Sequence, residues 1–527
     1  MPAVRSALVI GAGASGLAAA TFLAQGGVRV DLVETSPDIT ALGSGITLQG
    51  NALRVLKALG VWDRVTAEGY AFNTVGVRAP DPHGTLVAEL ADVRMGGPDL
   101  PASMGMYRPT LARILGEQAA SAGVDLRFGV TATGLSRDAD GVDVRFGDGS
   151  AQRYDVVIGA DGSRSWTRRA LGIELETQRV GLEIWRAVIP RPPGVERTEH
   201  IFGAGPCVIA GYCPTGENSA YAYLVEPTKD RGELDPGQEL KIVQDLAGAY
   251  HGPWDFIQAS LDESTPINHT WFANHLLDAP WNRGRVVLIG DAVHVCPPTL
   301  AQGAALALED ASVLAELLLT RDQVDEALWT AFMDRRYERC RTVVAATLQV
   351  CRWLLERDPE ADVPALLARI AHLVAEPAWP PGRPVGKADV AHEAAEPRRV
   401  GVRPGSRPVN ARSRSSAGAL SATTTSGPNG IPGPRYSGRT TLFKVARADS
   451  QAAGSGFHSR PVATARSQPC PITSPASESM TTGPGSSPPR SGNWIFACSR
   501  PAARDCRTTS VVRLTSAAAA SASAGPR

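Results

Sequence analysis

The sequence predicts an α/β fold in which a nucleotide-type domain is built from two separated stretches of chain, with a sheet-rich domain between them and a polar tail behind. Three observations carry this. Residues 7–10 are an apolar run that ends in the turn GAGASG at 11–16, followed by a helical stretch to Gln25 and a second apolar run over 28–33 closed by Glu34. Residues 285–319 repeat the theme, with an apolar strand over 286–289, Gly290 and Asp291, a turn stiffened by Pro297 and Pro298, and small residues 301–304 opening a long helix. Between them, residues 181–278 carry strand-like runs rich in aromatics. Strand, glycine turn and helix start together suit a polar ligand, because the first amides of a helix are unpaired and carry its positive dipole end.

A chain of 527 residues with 43% hydrophobic content can bury a sizeable core. Its zero net charge hides an asymmetry: from Gly401 onward there are 16 Lys and Arg against 3 acids, so an acidic body is balanced by a basic tail. That tail, from about 377, is rich in Pro, Gly, Ser, Thr, Ala and Arg without periodicity, and is expected to be disordered, with no specific nucleic-acid partner. The sequence has no 18-residue apolar run and no signal-type N-terminal region, so a cytoplasmic protein without membrane attachment is expected. The eight cysteines show no CxxC pair or metal-type spacing, which argues against a zinc site, a disulfide framework or a redox-active dithiol.

In the first unit, Gly11 permits the tight turn, Gly13 lets the backbone approach a pyrophosphate, Gly16 brings helix against strand, and Glu34 can accept hydrogen bonds from ribose hydroxyls. A glycine-broken segment over 42–48 follows, then a helix over 51–59 closed by Gly60. Residues 75–78 and 85–89 read as strands joined by the PDPHG turn, a small sheet insertion near 70–100. Pro109 and Thr110 mark a helix start that leaves Arg108 just outside, either a solvated charge or a clamp for an anion. Strand-like runs over 126–146 lead to a buried strand over 154–158 and a second turn, Gly159-Ala160-Asp161-Gly162, at a sheet end where ligands bind. Residues 182–189, 207–212 and 219–225 are expected strands and 240–249 a helix; this sheet is a natural substrate cover. Leu306, Val313, Leu314 and Leu317 face the core from the helix after Gly303, and further helices run to about Ala375.

The three turns, GAGASG with Glu34, GADG at 159–162, and GDAVHVCPPTLAQG at 290–303, resemble the fingerprints of the single-component FAD-dependent aromatic monooxygenases, the family of para-hydroxybenzoate, salicylate and urate hydroxylases. The resemblance covers about residues 4–375 and implies a Rossmann-type FAD-binding domain interleaved with a β-sheet substrate domain. The implied divisions are 1–178 and 280–376 for the FAD-binding domain and 179–279 for the substrate domain. By the same resemblance Gly11, Gly13, Ala14 and Gly16 hold the pyrophosphate and Glu34 the adenosine ribose. Gly45 and Arg108 contact the cofactor, Asp161 stands in the motif implicated in FAD and NAD(P)H binding, Asp291 bonds the ribityl chain, and Gly303 and Ala304 approach the flavin pyrimidine. The segment 41–44 lacks an arginine that several members carry, and Ala301 stands where many have Gly.

The implied reaction uses NADH or NADPH and O2 to hydroxylate an electron-rich ring through a flavin hydroperoxide, in a monomer or homodimer. Arg186 and Tyr212, on strands of the substrate sheet, are the candidate residues acting on the substrate. His294 reads as a buried, hydrogen-bonded structural residue. Two alternatives stay open: another flavin enzyme on the same scaffold, a halogenase or reductase, and a non-catalytic FAD-binding redox sensor. Trp185-Arg186-Ala187-Val188-Ile189-Pro190 lacks the second tryptophan of a halogenase stretch.

Overall fold

The computed structural model describes residues 2–39, 43–203 and 205–378. The basic tail, and Ala41 and Leu42 of the segment without the arginine, lie outside the described residues. Ser6–Ile10 is a central strand because every residue from Ala7 to Ile10 is buried, as a strand covered on both faces must be. It pairs in parallel with Arg29–Glu34 on one side and Val156–Gly159 on the other. Asp125–Phe128 and Val286–Leu288 extend the sheet in parallel and Asn282–Arg283 closes it antiparallel, giving six strands.

Alternation along the central strand decides what covers each face. Ala7 and Val9 belong to the main core with helices Ala14–Gln25 and Gly303–Thr320, whereas Leu8 and Ile10 pack on a three-stranded antiparallel sheet through Val142, Val144 and Phe146. The apolar run expected as one strand over 154–158 is divided between these layers. Ala151–Tyr154 ends the small sheet, Val156–Gly159 joins the parallel one, and the Asp155 carboxylate between them accepts the N–H groups of Arg5 (2.6 Å) and Ser6 (3.0 Å).

The second large element is an eight-stranded sheet ordered His294–Val295, Ile267–Leu276, Gln178–Pro190, Ser219–Pro227, Ile209–Pro214, Thr198–Phe202, Thr74–Arg78, Leu86–Ala91. Its last two strands are the expected insertion near 70–100, which therefore extends the substrate sheet; Thr74–Arg78 pairs in parallel with Thr198–Phe202. One face packs Trp185, Tyr212 and Leu224 against helices Pro236–Ala247 and Pro253–Ala259. The first of these starts earlier than its apolar pattern suggests, because Asp235 and Gln238 form a capping box around Pro236. The other face carries Ile184, Arg186, Tyr221 and Tyr223 by the same alternation. Gly45–Gln49, Ser103–Tyr107 and Tyr70–Phe72 form a third sheet against this second face, where the Tyr221 ring lies on Gly45.

Candidate active site

The glycine turn leaves a cleft of about 390 Å³ lined by Gly11, Gly13, Glu34, Val130, Asp161 and Gly162, among others. Gly11 has φ +107°, and a Cβ there would lie 2.5 Å from the Ala160 carbonyl oxygen; a Cβ on Gly16 would lie 2.0 Å from the Gly11 oxygen. At Gly13 a Cβ would meet nothing within 4 Å, so this position borders open space directly ahead of the helix. Gly13 is also the N-cap of Ala14–Gln25 and no side chain caps that end, leaving the first helical amides, beginning at Ala14, directed at the cleft. Uncapped amides, a glycine with room before it and an acid opposite fit a dinucleotide pyrophosphate and ribose.

Glu34 is prearranged. Its Oε2 accepts from the Ala12 N–H (2.8 Å) and its Oε1 from the Ser36 N–H (2.9 Å) and Thr35 hydroxyl (3.0 Å). Burial pushes its acidity the other way, but these hydrogen bonds win and hold the carboxyl below the usual range. Asp161 lines the same cleft, yet its carboxylate is turned to its own chain, accepting from the Ser165 hydroxyl and from the N–H (2.8 Å) and hydroxyl (2.9 Å) of Thr167. It organises the start of helix Trp166–Ala170 and leaves the Gly162 turn to face the cleft.

The residues expected on the flavin side come from four elements. Asp291 follows strand Val286–Leu288, and its loop is pinned through its backbone: the Asp291 carbonyl by His275 Nε2 (2.9 Å), the Ala292 carbonyl by Arg168 Nη1 (2.7 Å), and the Gly290 N–H by Asp310 (2.9 Å). The Asp291 side chain is solvent-accessible yet closely surrounded by protein atoms, and that crowding raises its carboxyl against the pull of His294 and Arg108. Arg108 is the first residue of helix Arg108–Ser121, inside the helix where the sequence suggested it just outside. Its Nε donates to the Gly45 carbonyl (3.3 Å); the side chain is accessible but crowded by protein, which lowers its pKa, while the nearby Tyr221 and Asp291 favour its charge. Gly303 and Ala304 begin helix Gly303–Thr320 with no side-chain cap; Gln302 instead pairs with Asn51 (3.0 Å). Ala301, just before them, is left-handed at φ 51°, ψ 31°, the conformation a glycine would take without strain.

The two residues chosen for action on substrate separate. Arg186 lies on the face of the large sheet turned away from the covering helices, with Nη1 donating to Thr270 Oγ1 (2.8 Å) and contacting Asn268 Oδ1 (3.5 Å). Tyr212 does not: it points to the helix-covered face, is 1% exposed, and donates to Glu199 (2.6 Å). On the Arg186 face stand Tyr221, hydrogen-bonded to the Thr47 hydroxyl (3.0 Å), and Tyr223, bonded to His200 Nε2 (2.7 Å). Tyr212 and Tyr221 lie on neighbouring strands of opposite phase, and only the covering helices reveal which phase faces the ligand.

Behind Asp291 lies a buried charge network that the sequence reading did not find. Arg336 donates to Asp310 (2.7 Å) and Glu309 (2.9 Å), Arg339 to Glu309 (2.6 Å), and His294 meets Asp310 at 2.7 Å. His294, Asp310 and Cys340 bring ligand-type atoms within 4.8 Å of one another, and the Arg336 guanidinium reaches both Asp310 and Cys340. His294 is thus a buried, paired residue. Burial opposes its charge, but the Cys340 sulfur and Asp310 outweigh it and raise its pKa well above the ordinary value. In the sequence Glu309 and Asp310 stand on one expected helix and Arg336 and Arg339 on another, with no local pattern that brings them together.

Residues 5–347 match the model of the FAD binding domain family. The chain belongs to this family. Among its relatives is a putative FAD-dependent monooxygenase, YetM, of Bacillus subtilis, 30% identical over 67% of this chain and 95% of that protein. Another is the 2-heptyl-3-hydroxy-4(1H)-quinolone synthase of Pseudomonas aeruginosa, 33% identical over 59% of this chain and 80% of that one. Among solved structures, 2-methyl-3-hydroxypyridine-5-carboxylic acid oxygenase superposes with a TM-score of 0.58 at 26% identity, covering 70% of this chain and 96% of that one. This family member is a flavoprotein, a FAD-dependent aromatic monooxygenase with the interleaved fold that its three turns suggested. No helix among the described residues is long and apolar enough to cross a membrane.

Proposed function

We propose that this monooxygenase hydroxylates an electron-rich, nitrogen-containing aromatic ring, in keeping with the quinolone and pyridine rings after which the Pseudomonas aeruginosa synthase and the pyridinecarboxylic acid oxygenase are named, between the start of helix Gly303–Thr320 and the Arg186 face of the large sheet. NADH or NADPH is the reductant and O2 the co-substrate. The observation that carries this reading is that Arg108 bonds the Gly45 carbonyl while the Tyr221 ring of the large sheet packs on the same Gly45, with Asp291 and Arg186 close enough to act on their charges.

Gly11, Gly13, Ala14 and Gly16 would hold the FAD pyrophosphate, Glu34 the adenosine ribose, Asp291 the ribityl chain, and Gly45 and Arg108 the middle of the cofactor; Asp161 acts indirectly by shaping the Gly162 turn. Bound FAD supplies hydride acceptance and oxygen activation. The amides at Gly303 and Ala304 favour negative charge at the end of the site they face. Tyr221, Phe72 and Cys213 form an apolar wall that excludes water. His200 is held neutral by burial, with a pKa lowered to about 4, so its hydrogen bond orients Tyr223 and it takes no proton at neutral pH. The enzyme works in the cytoplasm as a monomer or homodimer, without a nucleic-acid partner.

The test is NAD(P)H oxidation and peroxide release measured across an aromatic panel. A substrate raises oxidation without raising peroxide. A redox sensor or reductase shows no aromatic-dependent oxygen insertion with any compound, which would overturn the reading. Asp291→Ala is expected to lose FAD, and Glu34→Ala to weaken it by roughly tenfold or more through loss of charge-assisted hydrogen bonds.

A further inference from the structure

Ala301 is one of only two residues other than glycine with positive φ among the described residues, and it stands just before the start of helix Gly303–Thr320. Its own N–H closes the preceding turn on the Pro298 carbonyl (3.1 Å). Gln302 then returns to the right-handed region at φ −98°, ψ −12°. A left-handed residue followed by a right-handed one turns successive N–H groups into one concavity, a shape that receives anions. The N–H groups of Gln302, Gly303 and Ala304 have no acceptor among the described residues; the first amide of the run that has one is Leu306, on the Gln302 carbonyl (2.9 Å).

A Cβ makes the left-handed conformation costly, so an alanine stays there only where its surroundings leave no alternative. The restraint comes from the other side of the backbone. Ala301, Gly303 and Ala304 are partly exposed, but the Gln302 side chain is turned inward and buried. There it meets buried Asn51 in a reciprocal amide pair: Asn51 Nδ2 donates to Gln302 Oε1 (3.0 Å) and Gln302 Nε2 to Asn51 Oδ1 (3.4 Å). Asn51 Nδ2 also reaches Glu309 Oε1 (3.4 Å), further along the same helix. Met95 Sδ closes the pair at 3.8 Å from Gln302 Nε2, on a loop whose Gly96 backbone packs against Gly50; a Cβ on either glycine would lie 2.4 Å from the other's backbone. Two amides buried in this way require each other, and a Gln302 that turned with a relaxing Ala301 would strand both. Asn51 thus does for Ala301 what a glycine would do by itself.

Resting on the placement of Gly303 and Ala304 at the flavin proposed above, we infer that Asn51 is a positioning residue of the flavin site. By holding Gln302 it keeps Ala301 left-handed and the three free amides aimed together at the flavin edge that carries negative charge once reduced. That edge is neutral in oxidised flavin, so the restraint favours the reduced form over the oxidised one. Its effect falls on the reduction potential, and FAD retention is left to the rest of the site.

The experiment measures the two-electron potential of FAD-loaded enzyme by equilibration with a redox dye. Asn51→Leu, similar in size and unable to pair, is expected to weaken reduced relative to oxidised FAD about tenfold, a fall of about 30 mV, with occupancy by oxidised FAD unchanged. Adding Ala301→Gly, which takes the left-handed conformation without strain, restores about half of that shift or more. Gln302→Met breaks the same pair from the helix side and gives the same fall, which keeps the test open if Asn51→Leu does not fold. The inference is overturned if either folded variant keeps the wild-type potential, even with a lower melting point, if either loses oxidised FAD, or if Ala301→Gly recovers none of the shift. Failure of the placement itself shows in the wild type: two-electron reduction at neutral pH then takes up two protons in place of one, read from the pH dependence of the potential, and the inference falls with it.

Discussion

A methyl group added at Gly13 and one added at Gly16 meet opposite surroundings, and this separates ligand binding from folding. Gly13→Ala has empty space around it, so the melting midpoint of the FAD-free protein should not move, while FAD affinity falls by at least about tenfold because the methyl occupies the pyrophosphate approach. Gly16→Ala drives a Cβ into the Gly11 carbonyl and should lower both. Calorimetry of the FAD-free proteins and flavin titration measure the two effects; equal melting points for both variants would contradict the argument. Ala301→Gly tests the converse, since relief of a left-handed alanine, less the added freedom of the unfolded chain, should raise stability by up to about 1 kcal/mol in denaturant titration. At this scale the tight turn at Gly11, the close packing at Gly16 and the acid at Glu34 were legible as local structure, because each answers a backbone or charge demand visible within a few residues. Tyr212 was not. A strand residue's face depends on what packs against the sheet, and helix Pro253–Ala259, which brings Trp254 onto Tyr212, lies forty residues downstream.

Helices Gly303–Thr320 and Glu326–Glu356 share an apolar core and are joined by buried charge as well. Glu309 receives both Arg336 and Arg339, and Asp310 receives Arg336, His294 and the Gly290 N–H. Removing one partner strands the others without water, so Glu309→Ala should cost about 3–5 kcal/mol, measured by denaturant unfolding of the FAD-free protein. The pair His294–Asp310 also gives stability a pH dependence. His294 is raised in the folded state, so its contribution is complete below the unfolded value near 6.5 and fades as pH rises through the folded value. Asp310 is lowered: burial opposes its charge but His294 and Arg336 outweigh it, and its contribution fades as pH falls below about 3.8. Melting points of wild type should therefore decline on the alkaline side, and Asp310→Asn should flatten that decline; an unchanged alkaline slope would show that the pair is not its source. The helices themselves were legible from their periodicity. The network was not, because opposite charges on two helices carry no mark of facing inward together until the fold brings them into one interior.

Across the whole molecule, the residues proposed for the two halves of the flavin site come from opposite ends of the described chain, and the large sheet takes strands from three separate stretches. The broad division into a nucleotide sheet and a covering sheet was legible from the three turns; the membership of Thr74–Arg78 and Leu86–Ala91 in the cover was not, since pairing between distant strands leaves no local pattern. The family match ends at residue 347 and the described core reaches Ala378, so a chain truncated after Ala378 should keep wild-type FAD occupancy and melting point; loss of either would give the basic tail a part in the fold. The bond between Asn51 and Gln302, 251 residues apart in sequence, has a consequence for how the protein is made. As the chain leaves the ribosome, the Gly11 crevice and Glu34 emerge early, whereas Asp291, Gly303 and the helices that anchor them emerge late. The nascent protein therefore spends most of its synthesis with half a flavin site and an uncovered sheet face, and cofactor capture becomes a closing event of biosynthesis. Scarcity of FAD in the cell should then appear first as lost protein, through proteolysis of unclosed chains, before it appears as lost turnover.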